Sequence, residues 1–230
     1  MATGVAHELN QPLSVIKTAS SFFMKKINKK EKIDDEILLT MSEEIDGHVD
    51  RATKIINRMR QFGRKPDMIF EQVQVNEVLK NAFEIFSQQL KVRGIEVLWE
   101  IEENLPMIMA DSSRLEQVFI NLLLNARDSI EEKWGSKKPE QNDKKIMLKT
   151  RVEGKNVIAE VSDTGEGIPK DILDKVFEPF FTTKSVGEGT GLGLSISYGI
   201  IKDCGGSIKI ITEEDKGASF LITFPLSNEE

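Results

Sequence analysis

Apolar residues over about the first 65 positions recur in steps of three and four. Between Asp35 and Phe62 they fall at Leu38, Met41 and Ile45, then at Ala52, Ile55, Met59 and Phe62. That period is the seam of a helical bundle or coiled coil. Gly63 and then Pro66 stop the helix in the order expected of a C-terminal end. Upstream, Val5, Leu9, Pro12, Ile16, Ala19 and Phe23 repeat the spacing, and the polar run Asn28-Lys29-Lys30-Glu31-Lys32 forms a turn between the two helices. The pattern predicts an antiparallel hairpin over residues 1–66. One hairpin cannot bury both faces of its seam, so two copies are expected to pair as a four-helix bundle, making a homodimer. His48 falls on the seam and reads as a structural residue.

Past Glu71 the period changes. Val73 and Val75 predict a short strand, residues 76–92 an amphipathic helix, and 95–101 a strand. Asp111 caps a helix expected to end near Glu131. Residues 145–152 and 156–162 form a strand pair around the turn Glu153-Gly154-Lys155. A helix over 192–204 and strands over 207–212 and 218–225 close the chain, and the polar stretch 135–144 reads as a mobile loop. Strands and helices without strict βαβ alternation predict an α+β sandwich over residues 67–230, with helices on one face.

Composition narrows the function. A net charge of −7 without an offsetting basic patch speaks against nucleic acid as a partner. One cysteine, Cys204, allows no internal disulfide and fits a reducing, cytoplasmic setting. With no apolar run of membrane-spanning length and no leader pattern, a soluble chain without membrane contact is expected. The abrupt start, Met1-Ala2-Thr3 leading at once into helical sequence, suits a piece with more chain upstream.

The seam leaves His7 on the outer side of the first helix. Asn10 and Gln11, three and four residues on, share its face. Pro12 deprives the carbonyl of Glu8 of its helical partner and is expected to bend the helix beside His7. A nucleophilic imidazole needs a free nitrogen lone pair, and a carboxylate accepting the other ring N–H fixes the tautomer; Glu8 is placed for that. A His-Glu pair alone would be an ordinary surface pair. The run His7-Glu8-Leu9-Asn10-Gln11-Pro12-Leu13, however, resembles the phospho-acceptor box of sensor histidine kinases of two-component systems. Its Asn-Gln form is similar to that of the nitrogen-regulation and dicarboxylate-sensing members. The resemblance implies that His7 accepts phosphate and that Gln11 stands where a polar residue helps dephosphorylate the partner regulator.

Three later segments suggest a nucleotide pocket. Asn121, Asn125 and Asp128 stand at i, i+4 and i+7, opposite the apolar Leu115, Val118, Leu122 and Ala126. Paired asparagines can offer oxygens to Mg2+ and amides to phosphate, although such a face alone is more often just solvated. Asp163-Thr164-Gly165-Glu166-Gly167 follows a strand; its carboxylate can accept from the adenine amine, and its glycines let backbone approach the base. Gly187-Glu188-Gly189-Thr190-Gly191-Leu192-Gly193 opens a helix with exposed N–H groups suited to phosphate, with neither dinucleotide nor Walker spacing. Between them lie Phe177, Phe180 and Phe181, expected mostly in the core, and Lys184, a candidate phosphate contact.

In this order the segments resemble the catalytic ATP-binding domain of histidine kinases, within the gyrase, chaperone and mismatch-repair ATPase superfamily. The resemblance runs from Gly4 to Pro225. It implies Mg2+-ATP bound with Asp163, Gly165 and Gly167 at adenine, with Asn121, Asn125 and Asp128 near metal and phosphates, and residues 187–193 as a lid. Hydrolytic members carry a glutamate where this chain has Asn121, so water lacks its base and His7 becomes the expected acceptor. The product would be passed to a response-regulator receiver domain. Two other readings are an ATP-binding dimeric clamp and a degenerate kinase scaffold.

Overall fold

A helix whose apolar positions form one stripe is stable only when that stripe is covered, and the first unit is built on this demand. The computed structural model describes residues 2–63, 69–135, 143–184 and 189–226, and of residues 2–8 and 54–63 the backbone alone. The chain divides into two compact units, Met1–Pro66 and Asp67–Glu230.

In the first unit α1 (Ala2–Asn28) and α2 (Asp35–Gly63) lie against each other. Pro12, Ala19 and Ala52 are buried in the seam, and Leu9, Ile16, Phe23, Met41, Ile45 and His48 are half-buried there. Helix α1 continues through Pro12 without interruption. It ends in a Schellman turn: Lys30 adopts φ 53°, its N–H donates to the Ile27 carbonyl at 3.0 Å, and the Glu31 N–H reaches the Lys26 carbonyl at 3.0 Å. Asp34 starts α2 by accepting from the Glu36 N–H at 2.9 Å, with Asp35 and Glu36 in the first turn where the helix dipole favours anions. The single hairpin leaves Leu13, Met24, Ile27 and Leu39 each more than half exposed.

The second unit runs β1 (Glu71–Val73), α3 (Val75–Val92), β2 (Glu96–Ile101), β3 (Ile108–Ala110), α4 (Ser112–Trp134), β4 (Lys145–Glu153) and β5 (Asn156–Asp163). A single 3-10 turn (Lys170–Ile172), α5 (Gly193–Asp203), β6 (Ser207–Glu213) and β7 (Gly217–Pro225) follow. The main sheet has the order β2-β4-β5-β7-β6, parallel between β2 and β4 and antiparallel elsewhere. Its alternating inner positions, among them Ile146, Leu148, Val157, Ala159, Val161, Phe220, Ile222 and Phe224, join Leu115, Phe119, Leu122 and Ile130 of α4 and Ile201 of α5 in one core. The outer face is polar and carries Lys149–Glu100 at 2.7 Å and Arg151–Glu160 at 3.4 Å. This is the α+β sandwich with helices on one face.

Three details depart from the sequence expectation. Val75 starts α3 instead of ending a strand, because Gln74 caps the helix by accepting from the Asn76 N–H at 3.3 Å while its amide donates to the Leu105 carbonyl at 2.8 Å. The strand β3 pairs with β1, Val73 opposite Ile108; a three-residue strand is too short for its alternation to register in the sequence. Helix α4 runs on past Glu131 to Trp134. Among the described residues no helix is long and apolar enough to cross a membrane. Residues 136–142 of the expected polar loop lie outside the described residues.

Candidate functional site

Helix α4 supplies one wall of the site. Asp111 caps it by accepting from the Arg114 N–H at 3.1 Å. Burial pushes the Asp111 carboxyl up, but the Ser113 hydroxyl and the N–H groups of Arg114 and Ile69 outweigh it and hold the group below the usual range. Leu115, Val118, Leu122 and Ala126 are fully buried, which turns the half-buried Asn121, Asn125 and Asp128 to the other side.

Their surroundings differ. The Asn121 amide donates to the Gly193 carbonyl at 3.2 Å and to the Ser197 hydroxyl at 3.3 Å, tying α4 to the start of α5 and leaving its Oδ1 unengaged among the described residues. The Asn125 side chain makes no hydrogen bond with any described residue. Asp128 is fully engaged: its Oδ1 accepts from Arg127 Nε at 2.8 Å and its Oδ2 from the Lys184 ammonium. Lys184, expected at phosphate, is thus paired with Asp128.

The second wall is the end of β5. Val157, Ala159, Val161 and Asp163 share one parity, so the alternation that buries the first three also turns Asp163 inward, where it is only 8% exposed. Burial drives its pKa up from the ordinary carboxylate range to about 6, against the N–H groups of Gly165 and Ala218, the Ser129 hydroxyl and the Lys133 charge. Its Oδ1 accepts from the Gly165 N–H at 2.8 Å, folding the chain back over the carboxyl. Gly165 is buried against α4, and a Cβ there would overlap the Ser129 hydroxyl and backbone. Gly167 holds φ 78°, and a Cβ there would meet the Glu213 carbonyl. Gly165→Ala is therefore expected to push the loop off α4, costing about 1–3 kcal/mol of stability and weakening nucleotide binding roughly tenfold, read by melting and by titration with ATP. Normal binding in that variant would mean the loop does not need its seat on Ser129.

Those two walls fall within matched family regions. Residues 110–228 match the family described as histidine kinase-, DNA gyrase B- and HSP90-like ATPase, and residues 1–67 match the His Kinase A (phospho-acceptor) domain. The chain belongs to the two-component sensor histidine kinases. It is 34% identical to sensor kinase CckA of Brucella abortus over 235 residues, covering 100% of this chain and 24% of CckA. Against sensor histidine kinase ZraS of Escherichia coli K12 the identity is 31% over 227 residues, covering 99% of this chain and 45% of ZraS. The chain therefore spans half or less of the length of these relatives. Among solved structures it is similar to histidine kinase ThkA in complex with the response regulator protein TrrA, with a TM-score of 0.69, 28% identity, and 99% of this chain and 61% of that one covered. The isolated ThkA catalytic domain gives 0.58 at 32% identity, over 69% of this chain and 96% of that one.

Of the glycine segment, residues 189–193 are described and Gly187 lies outside them. The two stems of this segment are stitched together: the Phe180 N–H donates to the Gly191 carbonyl at 2.8 Å, with Phe180 at φ 70° and Gly191 at φ 61°. A Cβ on Gly191 would run into the Phe180 backbone, and one on Gly189 into Thr182 and Lys184. Thr190 and Gly193 are half-buried. Leu192 is buried and anchors the far stem, its carbonyl accepting from the Ser195 hydroxyl at 2.9 Å and the Ile196 N–H at 2.9 Å. Phe177 stacks on Tyr198 with ring centroids 5.3 Å apart.

On the hairpin, the backbone of His7 and Glu8 belongs to α1, while their side chains lie outside the described ones; Gln11 is half-buried. His48 Nε2 is 3.5 Å from Glu44. Sequence reasoning missed Ser129 and Lys133. Both continue the four-residue stride of Asn121 and Asn125, and that stride was the available signal.

The side chains on α4 fit a magnesium ion. Mg2+ takes hard oxygen ligands, and the Asn125 amide together with Asn121 Oδ1 offers carbonyl oxygens that satisfy nothing else among the described residues.

Proposed function

We propose that this chain is an ATP-dependent protein-histidine autokinase whose acceptor is His7, and that phosphorylated His7 donates to the aspartate of a response-regulator receiver domain. The observation carrying the reading is the pairing of two matched domains: a phospho-acceptor hairpin containing His7, and an ATPase fold with a buried, partly unsatisfied polar site. Asp163 accepts a hydrogen bond from the adenine amine, and Gly165 and Gly167 let the backbone lie close to the base. Asn121 and Asn125 would hold Mg2+, which when bound would neutralise phosphate charge. Residues 187–193 cover the phosphates, with N–H groups at the start of α5 directed by the helix dipole.

His7 supplies the nucleophile. Its neutral ring nitrogen forms the new N–P bond as the bond from the γ-phosphorus to the bridging oxygen breaks, and ADP leaves with that electron pair. Glu8 accepts the other ring N–H and keeps the imidazole in the useful tautomer. The described polar face of α4 gives water no comparable activation: Asn121 is an amide rather than a carboxylate, and Asp128 is held by two cations. Phosphoryl transfer is then chiefly positioning and charge neutralisation. Gln11 stands ready to orient water for removing phosphate from the regulator.

Two copies forming a four-helix bundle would cover the apolar side chains that a lone hairpin leaves open, Leu13, Met24, Ile27 and Leu39 among them. ATP as donor and the free thiol of Cys204 suit the cytoplasm.

Incubation with γ-labelled ATP tests the reading. The chain is expected to gain an acid-labile, alkali-stable label that disappears in His7→Gln. Label on serine or threonine, or bound ATP with no label, would remove the autokinase in favour of a clamp or scaffold.

A further inference from the structure

Polar side chains recur along α4 at four-residue steps, Asn121, Asn125, Ser129 and Lys133, and the last of them takes no part in the chemistry above. Its ammonium donates to three backbone carbonyls, those of Thr164 at 3.1 Å, Gly165 at 3.2 Å and Asp215 at 2.5 Å. An ammonium has three N–H donors, and here each has an acceptor. A lysine serving only solubility would keep its head in water; this one spends its full donor capacity on main chain while Nζ stands 5.2 Å from the centre of the Trp134 ring.

The three carbonyls belong to two different connections, the segment after β5 and the turn between β6 and β7. Other bonds join the same two. The Asp215 N–H donates to the Glu166 carbonyl at 2.7 Å, with Asp215 at φ 62°, and the Ile168 N–H donates to Thr212 Oγ1 at 2.8 Å. At Gly217 a side chain would collide with the Asp163 carbonyl. These contacts fix the spacing of the two connections; the Glu166 N–H donates to the Ser129 hydroxyl of α4 at 3.1 Å, and Lys133 ties both connections to the helix that carries the asparagines.

We infer that Lys133 is a positioning residue for base recognition: its ammonium clamps the Asp163–Gly167 segment and the β6–β7 turn onto the end of α4, in the arrangement that receives adenine. The inference rests on the proposed role of Asp163 as the adenine reader. Lys133 is also the charge that faces Asp163. Around that carboxyl, α4 otherwise contributes the Ser129 hydroxyl, β7 the Ala218 N–H and the loop the Gly165 N–H, while Ile146 of β4, opposite in register, is apolar. Losing the ammonium therefore loosens the segment and makes Asp163 hold its proton to higher pH.

Lys133→Met keeps the stem and removes the donors. In the full 230-residue chain it is expected to raise KM for ATP roughly tenfold, the loss typical of a charge-assisted hydrogen bond, with kcat little changed. ADP should weaken by the same factor, because the shared base is what suffers, and the pH midpoint of binding should move upward. Lys133→Arg should recover much of the affinity. Lys133→Gln, which keeps two donors without the charge, covers the case of a poorly folded Met variant: it should show a smaller rise in KM with the same shift of midpoint. Wild-type KM and pH midpoint in the Met or Gln variant, or a loss confined to the triphosphate, overturn the role. Asp163→Asn separates the two claims. If it binds ATP normally, the adenine reading itself fails; if it loses ATP while Lys133→Met retains it, only the clamp fails.

Discussion

Asn125→Ala is expected to slow labelling of His7 by at least about 100-fold, the scale of removing one group that stabilises developing charge, with no measurable change in melting temperature. The two halves of that outcome have one cause. Asn125 is half-buried on the polar side of α4, yet its side chain makes no hydrogen bond with any described residue. Truncating it strands no donor or acceptor, so the fold should feel less than about 0.5 kcal/mol. Asn121 provides the contrast. Its amide bonds the Gly193 carbonyl and the Ser197 hydroxyl, the latter on a fully buried residue. Asn121→Ala should abolish labelling and also cost about 1–3 kcal/mol, because it leaves the start of α5 unsatisfied. Equal loss of stability in both variants would show that Asn125 is a structural residue; wild-type labelling by Asn125→Ala would remove it from the site.

Asp163→Asn is expected to bind ATP about 100-fold more weakly while making the free protein more stable above pH 6. The carboxyl is buried, and burial raises its pKa to about 6 from its ordinary value of 3.8. The folded state therefore binds this proton more tightly than the unfolded chain does, and stability falls as pH rises between those two values. Above pH 6 the ionised group costs the fold about 3 kcal/mol. Asparagine removes that charge but gives back part of the gain, since its NH2 faces donors where oxygen faced them. A net gain of about 1–3 kcal/mol is expected at neutral pH, shrinking to nothing near pH 4, and melting curves across that range would record it. Binding fails for the complementary reason: with Oδ1 kept by the Gly165 N–H, the amide turns a donor toward the adenine amine. The wild-type chain should likewise lose affinity as pH falls through about 6 and the carboxylate becomes an acid. A wild-type apo protein no less stable relative to the variant at pH 7 than at pH 4, or ATP affinity flat from pH 5 to 8, contradicts this account of Asp163.

Asp163 also shows how far the sequence carries. Its place at the end of an alternating run, Val157, Ala159, Val161, follows from the two-residue period of a strand, so its inward direction is fixed once the sheet has one buried face. The face of α4 bearing Asn121 and Asn125 follows in the same way from the 3.6-residue period. Both are local consequences of backbone geometry. Lys133 was hidden by a boundary: ending α4 near Glu131 drops the last turn, which helical periodicity alone defines poorly. The strand β3 was hidden by its length, and the capping of α3 by Gln74 depends on the Leu105 carbonyl, 31 positions away along the chain.

The sequence by itself determined a helical hairpin followed by a mixed α and β region, the faces of the hairpin and of α4, and the inward carboxylate at the end of β5. Periodicity is a property of neighbouring residues and can be read along the chain. The atoms that exclude a side chain at Gly165 and Gly167 belong to Ser129 and Glu213 and are brought there by the fold. Tertiary structure alone decided how the polar groups divide their work. It left Asn125 open and bonded Asn121 to α5, paired Lys184 with Asp128, and turned Lys133 onto three carbonyls from two loops. A side chain's partners are set by which distant segments the fold brings within about 3 Å, and the order of residues along a chain does not contain that distance.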